Sequence, residues 1–326
     1  MYRDLIVSLV LPVHDRALEL TPYVERVQAV LEAGFANHEL IVVDDGSRDG
    51  TAELARALAL RGQNLRLVQL SRAYGVEIAI AAGLDQAIGD FVAVLSPELT
   101  DPVEMLPQLV AAARDGYDVV YLRQPRTRPR LGQGVVHWLG ARFFYGLCRR
   151  LTGLDINDDA SDFCLLSRRV VNSLTRLKEH NRVMSMLVAY TGFASRGIDP
   201  DPAYGAPPHH WPGMRRRLHL ALDAIVAFSD KPLRYVSYAS MLIALVALLG
   251  AGAVFVERLV NARVAEGWAS LMVVQLVMFC LLFFLLAIVS EYVSRILVEA
   301  KHRPLYYVRE ELGGTRLDIE NIVDAR

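Results

Sequence analysis

The chain has 326 residues, of which 53% are hydrophobic, and its 35 Lys and Arg residues almost balance 36 Asp and Glu residues. This balance gives no overall electrostatic reason to bind nucleic acid, and the apolar content is too high for a disordered chain. Three widely spaced cysteines argue against a disulfide framework or a cysteine zinc site and fit a reducing cytoplasmic setting.

Strand-like and helix-like segments alternate through the first 122 residues. The predicted strands are 5–11, 39–43, 65–70, 91–95 and 119–122, and the predicted helices are 22–33, 51–60, 77–87 and 102–114. Asp101 is predicted to cap the last of these helices, with Pro102 at its first position. The order predicts an α/β fold with a mostly parallel sheet covered on both faces. Ligands of such sheets bind beyond the carboxyl ends of the strands, so the residues that follow each strand are the candidate site.

The segments after the first two strands carry the most polar residues. They read Pro12-Val13-His14-Asp15 and Asp44-Asp45-Gly46-Ser47-Arg48-Asp49-Gly50-Thr51. Carboxylates at strand ends can accept hydrogen bonds from a ribose or a base. The two glycines permit a tight turn, and Thr51 is expected to cap the next helix. Taken alone, the second segment could equally be an ordinary acidic turn.

Two long apolar runs, 235–256 and 270–290, contain no charged residue. As helices they would reach roughly 30 Å, the thickness of the hydrocarbon core of a bilayer. We therefore predict transmembrane helices at 234–257 and 270–294, joined by a short non-cytoplasmic loop at 258–269; two buried core helices are the alternative. Basic residues outside this pair predict that both termini are cytoplasmic.

A strongly basic stretch lies between Arg123 and Arg150, with seven arginines and no acidic residue. Within it, Trp138 and Phe143 lie on the apolar side of a predicted amphipathic helix at 131–153, which would lie at the membrane interface. A solvated basic face packed on the domain is the alternative. A second interfacial helix is predicted at 215–233. Candidates for holding a lipid phosphate or a diphosphate are Arg126, Arg128 and Arg130.

Five segments in order resemble one enzyme family. They are ELIVVDDGSRDGT (39–51), LSRAYGVEIAIAAGLDQAIGDFVAVL (70–95), DASDFCLLSRR (159–169), FSDKPLR (228–234) and EYVSRILVEAKHRPLYYV (291–308). Together they resemble family 2 glycosyltransferases of the polyisoprenyl-phosphate type, such as dolichol-phosphate mannose synthases and bacterial undecaprenyl-phosphate sugar transferases.

The resemblance implies a cytoplasmic GT-A domain at 1–214 and a cytoplasmic tail at 295–326, in a protein of the bacterial inner membrane. The implied reaction passes a sugar from a nucleotide sugar to a polyprenyl phosphate, with inversion of the anomeric centre. The implied partners are therefore the nucleotide-sugar donor, the polyprenyl-phosphate lipid, the membrane and a second copy of the chain.

The resemblance also assigns residues. Donor binding is implied for Pro12, Val13, Asp15, Asp44, Asp45, Ser71 and Arg72. Catalysis is implied for Asp159, Asp162 and Arg168, although the two aspartates could instead cap a loop before a helix. The family holds a divalent metal, Mg²⁺ or Mn²⁺, at an Asp-x-Asp motif. That motif reads Ser96-Pro97-Glu98 here, which leaves Glu98 as the candidate metal ligand.

Further departures from the family pattern cluster around the same site, at Arg16, Ala73, Val76 and Cys164. Because the scaffold matches while these positions do not, a catalytically silent relative that keeps the fold for binding or regulation is the alternative to an active transferase. A processive polysaccharide synthase is not expected, since the chain lacks a Gln-x-x-Arg-Trp motif.

Overall fold

A computed structural model describes residues 2–62, 64–123, 160–177, 184–204, 268–301 and 303–314, with short stretches between 238 and 250. The chain divides into two compact units. The first comprises residues 1–146, 154–213 and 304–326, and the second comprises 147–153 and 214–303.

The first unit is an α/β domain. Its elements are β1 (Tyr2–Val13), α1 (Ala17–Gly34), β2 (Phe35–Asp44), α2 (Thr51–Arg61), β3 (Leu65–Leu70), α3 (Val76–Gln86), β4 (Phe91–Val94), a 3₁₀ turn (Val103–Met105), α4 (Leu106–Arg114), β5 (Val119–Arg123), β6 (Ala160–Ser167), α5 (Arg168–Arg176), α6 (Met184–Thr191), β7 (Ser195–Ile198) and β8 (Val308–Gly313). The second unit contains α7 (Trp268–Ala300).

The eight strands form one sheet in the order β7-β5-β6-β4-β1-β2-β3-β8. Strands β6 and β8 run antiparallel to their neighbours, and the other six strands share one direction. The prediction of a mostly parallel α/β sheet is therefore confirmed. Because β4, β1, β2 and β3 are adjacent and parallel, their carboxyl ends meet at one edge.

Helix α1 shows why the sequence packs in this way. Its apolar residues Leu20, Val24, Val27 and Leu31 recur at helical spacing and are completely buried. They join a core that includes Leu9 and Leu11 of β1 and other buried residues of the sheet. This packing fixes the start of α1 beside the carboxyl end of β1.

The structure corrects two predicted helix starts, those of α1 and α4, and two predicted caps, Thr51 and Asp101. Helix α1 begins at Ala17, five residues before the predicted start, because the Ala17 N–H donates to Asp49 Oδ2 at 3.0 Å. Thr51 does not cap α2: the cap is Gly50, and the Thr51 hydroxyl donates to Asp49. Asp101 does not cap α4, which begins at Leu106 without a side-chain cap.

Helix α7 is 33 residues long, and many of its described apolar side chains, among them Leu271, Val277 and Phe283, are exposed. Taken over the described residues alone, no helix is both long and apolar enough to cross a membrane. The two predicted spans thus stay predictions. The first span, the loop after it and both predicted interfacial helices lie wholly or mostly outside the described residues.

Candidate active site

The candidate site is the edge where β1, β2, β3 and β4 end. Val13 pairs with Asp44, and Asp44 pairs with Gln69, so these three strands end side by side. The loops that follow them, at 14–16, 45–50 and 71–75, therefore meet at one edge, beside the turn 95–101 that follows β4. This edge contains the predicted Asp15, Asp45, Ser71, Arg72 and Glu98.

Asp45 joins the second loop to the third. Its Oδ1 accepts a hydrogen bond from the Tyr74 N–H at 2.6 Å, and its Oδ2 accepts one from the Gly75 N–H at 2.8 Å. The side chain is only 4% exposed. Since both carboxylate oxygens accept hydrogen bonds from the protein's own backbone, Asp45 fixes the position of the loop 71–75, and the donor contact that the resemblance implies for it stays a prediction.

Three other residues predicted to contact the donor are also buried. Asp44 is fully buried and accepts hydrogen bonds from the Ser47 N–H at 3.2 Å and the Gln69 amide at 3.3 Å. Burial raises the pKa of Asp44, while its hydrogen bonds with Ser47 and Gln69 oppose the shift. Pro12 and Val13, at the end of β1, are also buried. Their burial places these groups beneath the exposed residues of the loops, and the donor contacts implied for them stay predictions.

Hydrogen bonds join the first loop (14–16) to the second (45–50), but polar side chains of the first loop remain exposed to solvent. Asp15 adopts a left-handed conformation, with φ of 51°. Its N–H donates to Ser47 Oγ at 3.0 Å, and its carboxylate accepts the Arg48 N–H at 2.7 Å. His14 shares a 2.8 Å hydrogen bond with the Asp45 carbonyl. The Asp15 side chain remains 44% exposed, so it can contact a ligand at the edge.

The third loop (71–75) carries three polar side chains at the surface, those of Ser71, Arg72 and Tyr74. Ser71 and Arg72 are exposed, the Arg72 guanidinium lies 4.6 Å from the centre of the Tyr74 ring, and Ser71 Oγ lies 3.0 Å from the Tyr74 hydroxyl. These two contacts, Ser71 first and then Arg72, lower the pKa of Tyr74. A guanidinium beside a hydroxyl suits a phosphate oxygen.

Gly46 lets the second and third loops approach closely. Its φ is +66°, and a Cβ at this position would lie 2.5 Å from the Arg72 carbonyl carbon and 2.6 Å from the Ala73 nitrogen. Only glycine fits there without moving backbone atoms of the loop that carries Arg72. Glycine at position 46 therefore has two roles. It adopts the positive φ of the tight turn, as expected, and it leaves room for the backbone of the neighbouring loop.

Carboxylates gather where β4 ends. Val94 pairs with Cys164 on antiparallel β6, and continuing this register places Ser96 opposite Asp162. Asp101 is 1% exposed and accepts the Ser96 N–H at 2.5 Å. Burial raises the pKa of Asp101 to about 6, hydrogen bonding from Ser96 opposes the shift, and the charges of Asp162 and Glu98 raise it further.

Asp162 is accessible to solvent, yet its pKa is raised first by desolvation and then by the charge of Glu98. A group surrounded by protein but open to water on one side, as on the floor of a cleft, satisfies both observations. Burial and the charges of Asp162, Asp101 and Glu77 raise the pKa of Cys164 to about 12. The predicted catalytic Asp162 therefore lies in an electrostatically coupled acidic group.

The donor set at this position does not fit a divalent metal held by the protein alone. No group of three His, Cys, Asp or Glu side chains among the described residues is arranged to hold a metal ion. Asp101, the carboxyl group next to Ser96, already accepts the Ser96 N–H. The role predicted for Glu98 stays a prediction, and no step proposed below depends on a metal.

Arg168 lies elsewhere. It begins α5, and its guanidinium donates to the carbonyls of Gly89, at 2.8 Å from Nε, and Ala87, at 2.9 Å from Nη1. These carbonyls precede β4, whereas the candidate site lies beyond its carboxyl end. Arg168 therefore anchors α5 to the turn before β4, and the catalytic role that the resemblance implies for it stays a prediction. Asp159, Arg126, Arg128 and Arg130 lie outside the described residues.

Two residues at this edge were not predicted to belong to it. Asp101 was interpreted as a helix cap because it precedes a proline, and nothing in the local sequence indicates its bond to Ser96. Tyr307 accepts the Ser71 N–H on its carbonyl oxygen at 2.9 Å, although the two residues are far apart in the chain. Only the pairing of β8 with β3 brings them together.

Comparison with known proteins gives a consistent family. Residues 8–175 match the family described as glycosyl transferase family 2. An uncharacterised glycosyltransferase of Bacillus subtilis (strain 168) is 33% identical over 315 residues, which is 96% of each chain. A bactoprenol glucosyl transferase of Shigella phage SfV is 29% identical over 307 residues, covering 94% of this chain and 98% of that one.

Among solved structures, the glucosyl-3-phosphoglycerate synthase of Mycobacterium tuberculosis with Mg²⁺ and uridine diphosphate superimposes with a TM-score of 0.48 at 20% identity, over 68% of this chain and 77% of that chain. The family assignment does not depend on this distant superposition. The motifs, the mixed GT-A-like α/β sheet and the family match over residues 8–175 agree, and this chain belongs to glycosyl transferase family 2.

Proposed function

We propose that the protein transfers a sugar from a nucleotide-sugar donor to a polyprenyl phosphate, with inversion, at the cytoplasmic face of a bacterial inner membrane. The observation that carries this proposal is the convergence of Asp15, Ser71, Arg72 and Asp162 at one sheet edge. It occurs in a chain that aligns over 94% of its length with a bactoprenol glucosyl transferase. Bactoprenol is a polyprenyl lipid, which gives the acceptor class.

The loop 71–75 is the proposed diphosphate site. Arg72 supplies a charge-assisted donor and Ser71 a hydroxyl, both exposed at the edge. Asp45 holds the backbone of this loop from beneath through Tyr74 and Gly75. The donor would therefore meet a loop whose geometry is already fixed, which reduces the entropy lost on binding. Asp15 is the proposed contact for the nucleoside.

The chemistry needs alignment more than proton transfer. A lipid phosphate oxygen is already anionic near neutral pH, so it can attack the anomeric carbon without a strong base. The new bond joins that oxygen to the anomeric carbon, and the bond to the nucleotide diphosphate breaks, with its electron pair leaving on the diphosphate. Arg72 stabilises this charge. We place Asp162 beside the sugar, where a carboxylate favours positive charge developing at the anomeric centre. Asp159 and the arginines at 126, 128 and 130 remain proposed contacts of the acceptor.

The pairing of β8 supports a membrane hairpin between β7 and β8. Strands β1 to β7, which precede residue 199, and strand β8 (Val308–Gly313) belong to the same sheet, so both parts of the chain lie on the same side of any membrane. The chain between them must then cross an even number of times, and the apolar runs at 235–256 and 270–290 supply two crossings. At 1.5 Å per residue, α7 is about 50 Å long, which exceeds the thickness of the hydrocarbon core.

The test is transfer by membranes that contain the full chain. A panel of labelled nucleotide sugars is incubated with polyprenyl phosphate, with Mg²⁺, with Mn²⁺ and with chelator, and label is followed into the lipid fraction. We expect one donor to give a lipid-linked sugar of inverted configuration. Arg72→Ala should reduce transfer at least 10-fold, the loss of a charge-assisted bond worth about 1.5 kcal/mol or more. The exposed Arg61 on α2 provides the control, since Arg61→Ala should leave transfer unchanged.

One observation favours the alternative of a catalytically silent binding protein. Where the family carries its first metal-binding carboxylate, this chain has a buried Ser96 whose N–H is bound by Asp101. The alternative predicts nucleotide or lipid binding without transfer from any donor. In that case, the double substitution Ser96→Asp with Glu98→Asp should create metal-dependent transfer. No labelled lipid from the wild-type protein across the whole panel would refute the transferase.

A further inference from the structure

The chain after α7 returns to the α/β domain and adds the edge strand β8. It pairs antiparallel with β3, with Arg66 opposite Gly313 and Leu67 opposite Leu312. The two strands lie very close together at the end away from the candidate site. A Cβ on Gly313, which has φ of +89°, would lie 2.1 Å from the Leu65 carbonyl oxygen. A register irregularity falls between Gln69 and Leu70, at the end next to the candidate site.

The pairing continues past β3 into the proposed diphosphate loop. The Ser71 N–H donates to the Tyr307 carbonyl at 2.9 Å, one residue after β3 ends. Ser71 in turn lies within 3.0 Å of the Tyr74 hydroxyl. The loop 71–75 is thus held at two points, by Tyr307 at its start and by Asp45 at its end. Without β8, strand β3 would become the edge of the sheet and the Ser71 N–H would lose this partner.

Polar side-chain contacts hold β8 against α2, α3 and β3. Glu310 pairs with Arg56 of α2, and Glu311 pairs with Arg66 of β3 at 2.5 Å. Just before the strand, the Tyr306 hydroxyl donates to Asp85 at 2.8 Å. Most β8 side chains are exposed, and only Glu310 and Leu312 are half-buried. Detaching β8 would therefore uncover little of the core, so its loss should act locally.

We propose that residues 306–313 are a positioning element of the donor site, which holds the loop 71–75 in its binding geometry. The proposal rests on the proposed function, because it takes this loop to bind the nucleotide diphosphate. It gives the chain that leaves α7 a direct role: the segment joined to the predicted membrane hairpin completes the donor site. The affinity for the donor then depends on residues that never touch it.

The test uses the purified full chain in detergent and a charge reversal. Glu310→Arg places a positive charge against Arg56 and should detach β8. We expect faster deuterium uptake in peptides covering 69–76 and 306–313, and a donor KM raised about five-fold, equivalent to about 1 kcal/mol. The kcat should stay within about two-fold, because this change affects binding geometry and not the reacting groups. The double variant Arg56→Glu with Glu310→Arg restores the pair with opposite polarity and should return both readouts toward wild type.

Asp4→Arg is the matched control. It breaks an exposed ion pair with Arg114 of 2.9 Å at the opposite end of β1, and should change neither the loop uptake nor the KM. If Glu310→Arg leaves the strand attached, a chain ending at Arg303 removes β8 altogether, and the deuterium uptake at 69–76 and the donor KM are measured on that chain. Unchanged uptake at 69–76 after β8 is lost would overturn the proposal. If no donor supports transfer by the wild type, the proposed function fails, yet deuterium uptake and the binding of uridine and guanosine diphosphates still decide this inference.

Discussion

Asp45→Asn tests whether the strand-end carboxylate builds the site or touches the donor. In the structure its two oxygens accept the N–H groups of Tyr74 and Gly75 at 2.6 and 2.8 Å, and the side chain is almost fully buried. Asparagine keeps the shape but replaces one acceptor oxygen with an amide that can only donate. One backbone N–H would then face another donor, and the remaining bond would lose its charge. We expect the loop 71–75 to loosen.

The magnitude follows from these two bonds. Hydrogen bonds to a charged group contribute about 1.5–3 kcal/mol each, so losing one and weakening the other should lower the free energy of unfolding by about 2–4 kcal/mol. For a domain of this size each kcal/mol shifts the Tm by about 2–4 °C, which gives a fall of about 4–16 °C. A loosened loop should also raise the donor KM by about 10-fold or more, since each factor of ten corresponds to about 1.4 kcal/mol.

The assay combines thermal unfolding, deuterium uptake at 69–76 and donor kinetics on the same preparation. Asp201→Asn serves as the control, because Asp201 also accepts a backbone N–H, from Ala203 at 2.9 Å, but in an exposed turn. Its effect on the free energy of unfolding should stay within about 0.5 kcal/mol. A raised KM for Asp45→Asn with unchanged Tm and unchanged uptake would refute the reasoning, since only direct contact with the donor would explain that combination.

Three other predictions, tested by four substitutions, concern the same edge and its surroundings. Gly46→Ala should destabilise the fold by about 2–4 kcal/mol and weaken donor binding. Gly50 also has a positive φ, but a Cβ there would meet no atom within 4 Å, so Gly50→Ala should destabilise the fold by only about 1 kcal/mol. Chemical unfolding of both variants separates the effect of the steric clash from that of backbone strain alone. Because the pKa of Asp101 is raised from 3.8 to about 6, the folded state holds a proton that the unfolded chain releases, so stability should fall as pH rises from about 4 to about 6. Asp101→Asn should remove about 2 kcal/mol of that fall in unfolding experiments across this range, and an unchanged pH profile would contradict the assignment. Arg168→Gln should lower stability by about 2 kcal/mol with kcat within about two-fold, whereas a folded variant with kcat reduced 1,000-fold would support the catalytic role implied by resemblance.

Local sequence patterns predicted the scaffold of this domain well. Strand β3 occupies the predicted residues 65–70, and α2 and α3 lie within one residue of prediction at each end, because glycines and polar turns bound continuous apolar or amphipathic segments. The carboxyl edge followed from the alternation of strands and helices, since parallel strands must end together. These features depend on residues close in sequence, and local rules capture them.

The parts that local patterns missed depend on contacts between distant segments. The start of α1 is set by Asp49, on the next loop, and Asp101 binds Ser96 instead of capping a helix. Strand β8 belongs to the sheet only because it pairs with β3, more than two hundred residues earlier in the chain. Arg168 matched a motif, but its position before β4 becomes evident only when Gly89 and Ala87 are seen to accept its guanidinium.

The distribution of charge at the carboxyl edge is consistent with a site for two anions. A diphosphate and a lipid phosphate would be repelled by free carboxylates, yet several Asp residues lie at or near this edge, among them the four residues Asp44, Asp45, Asp101 and Asp162. Asp45 is neutralised in effect by two backbone N–H groups, and burial raises the pKa of Asp44 and Asp101, which favours their neutral forms. Asp162 is the one of these four that is open to solvent, and its pKa is also raised. Asp45 therefore acts on the backbone of the loop 71–75, and the exposed guanidinium of Arg72 is the proposed contact of the diphosphate.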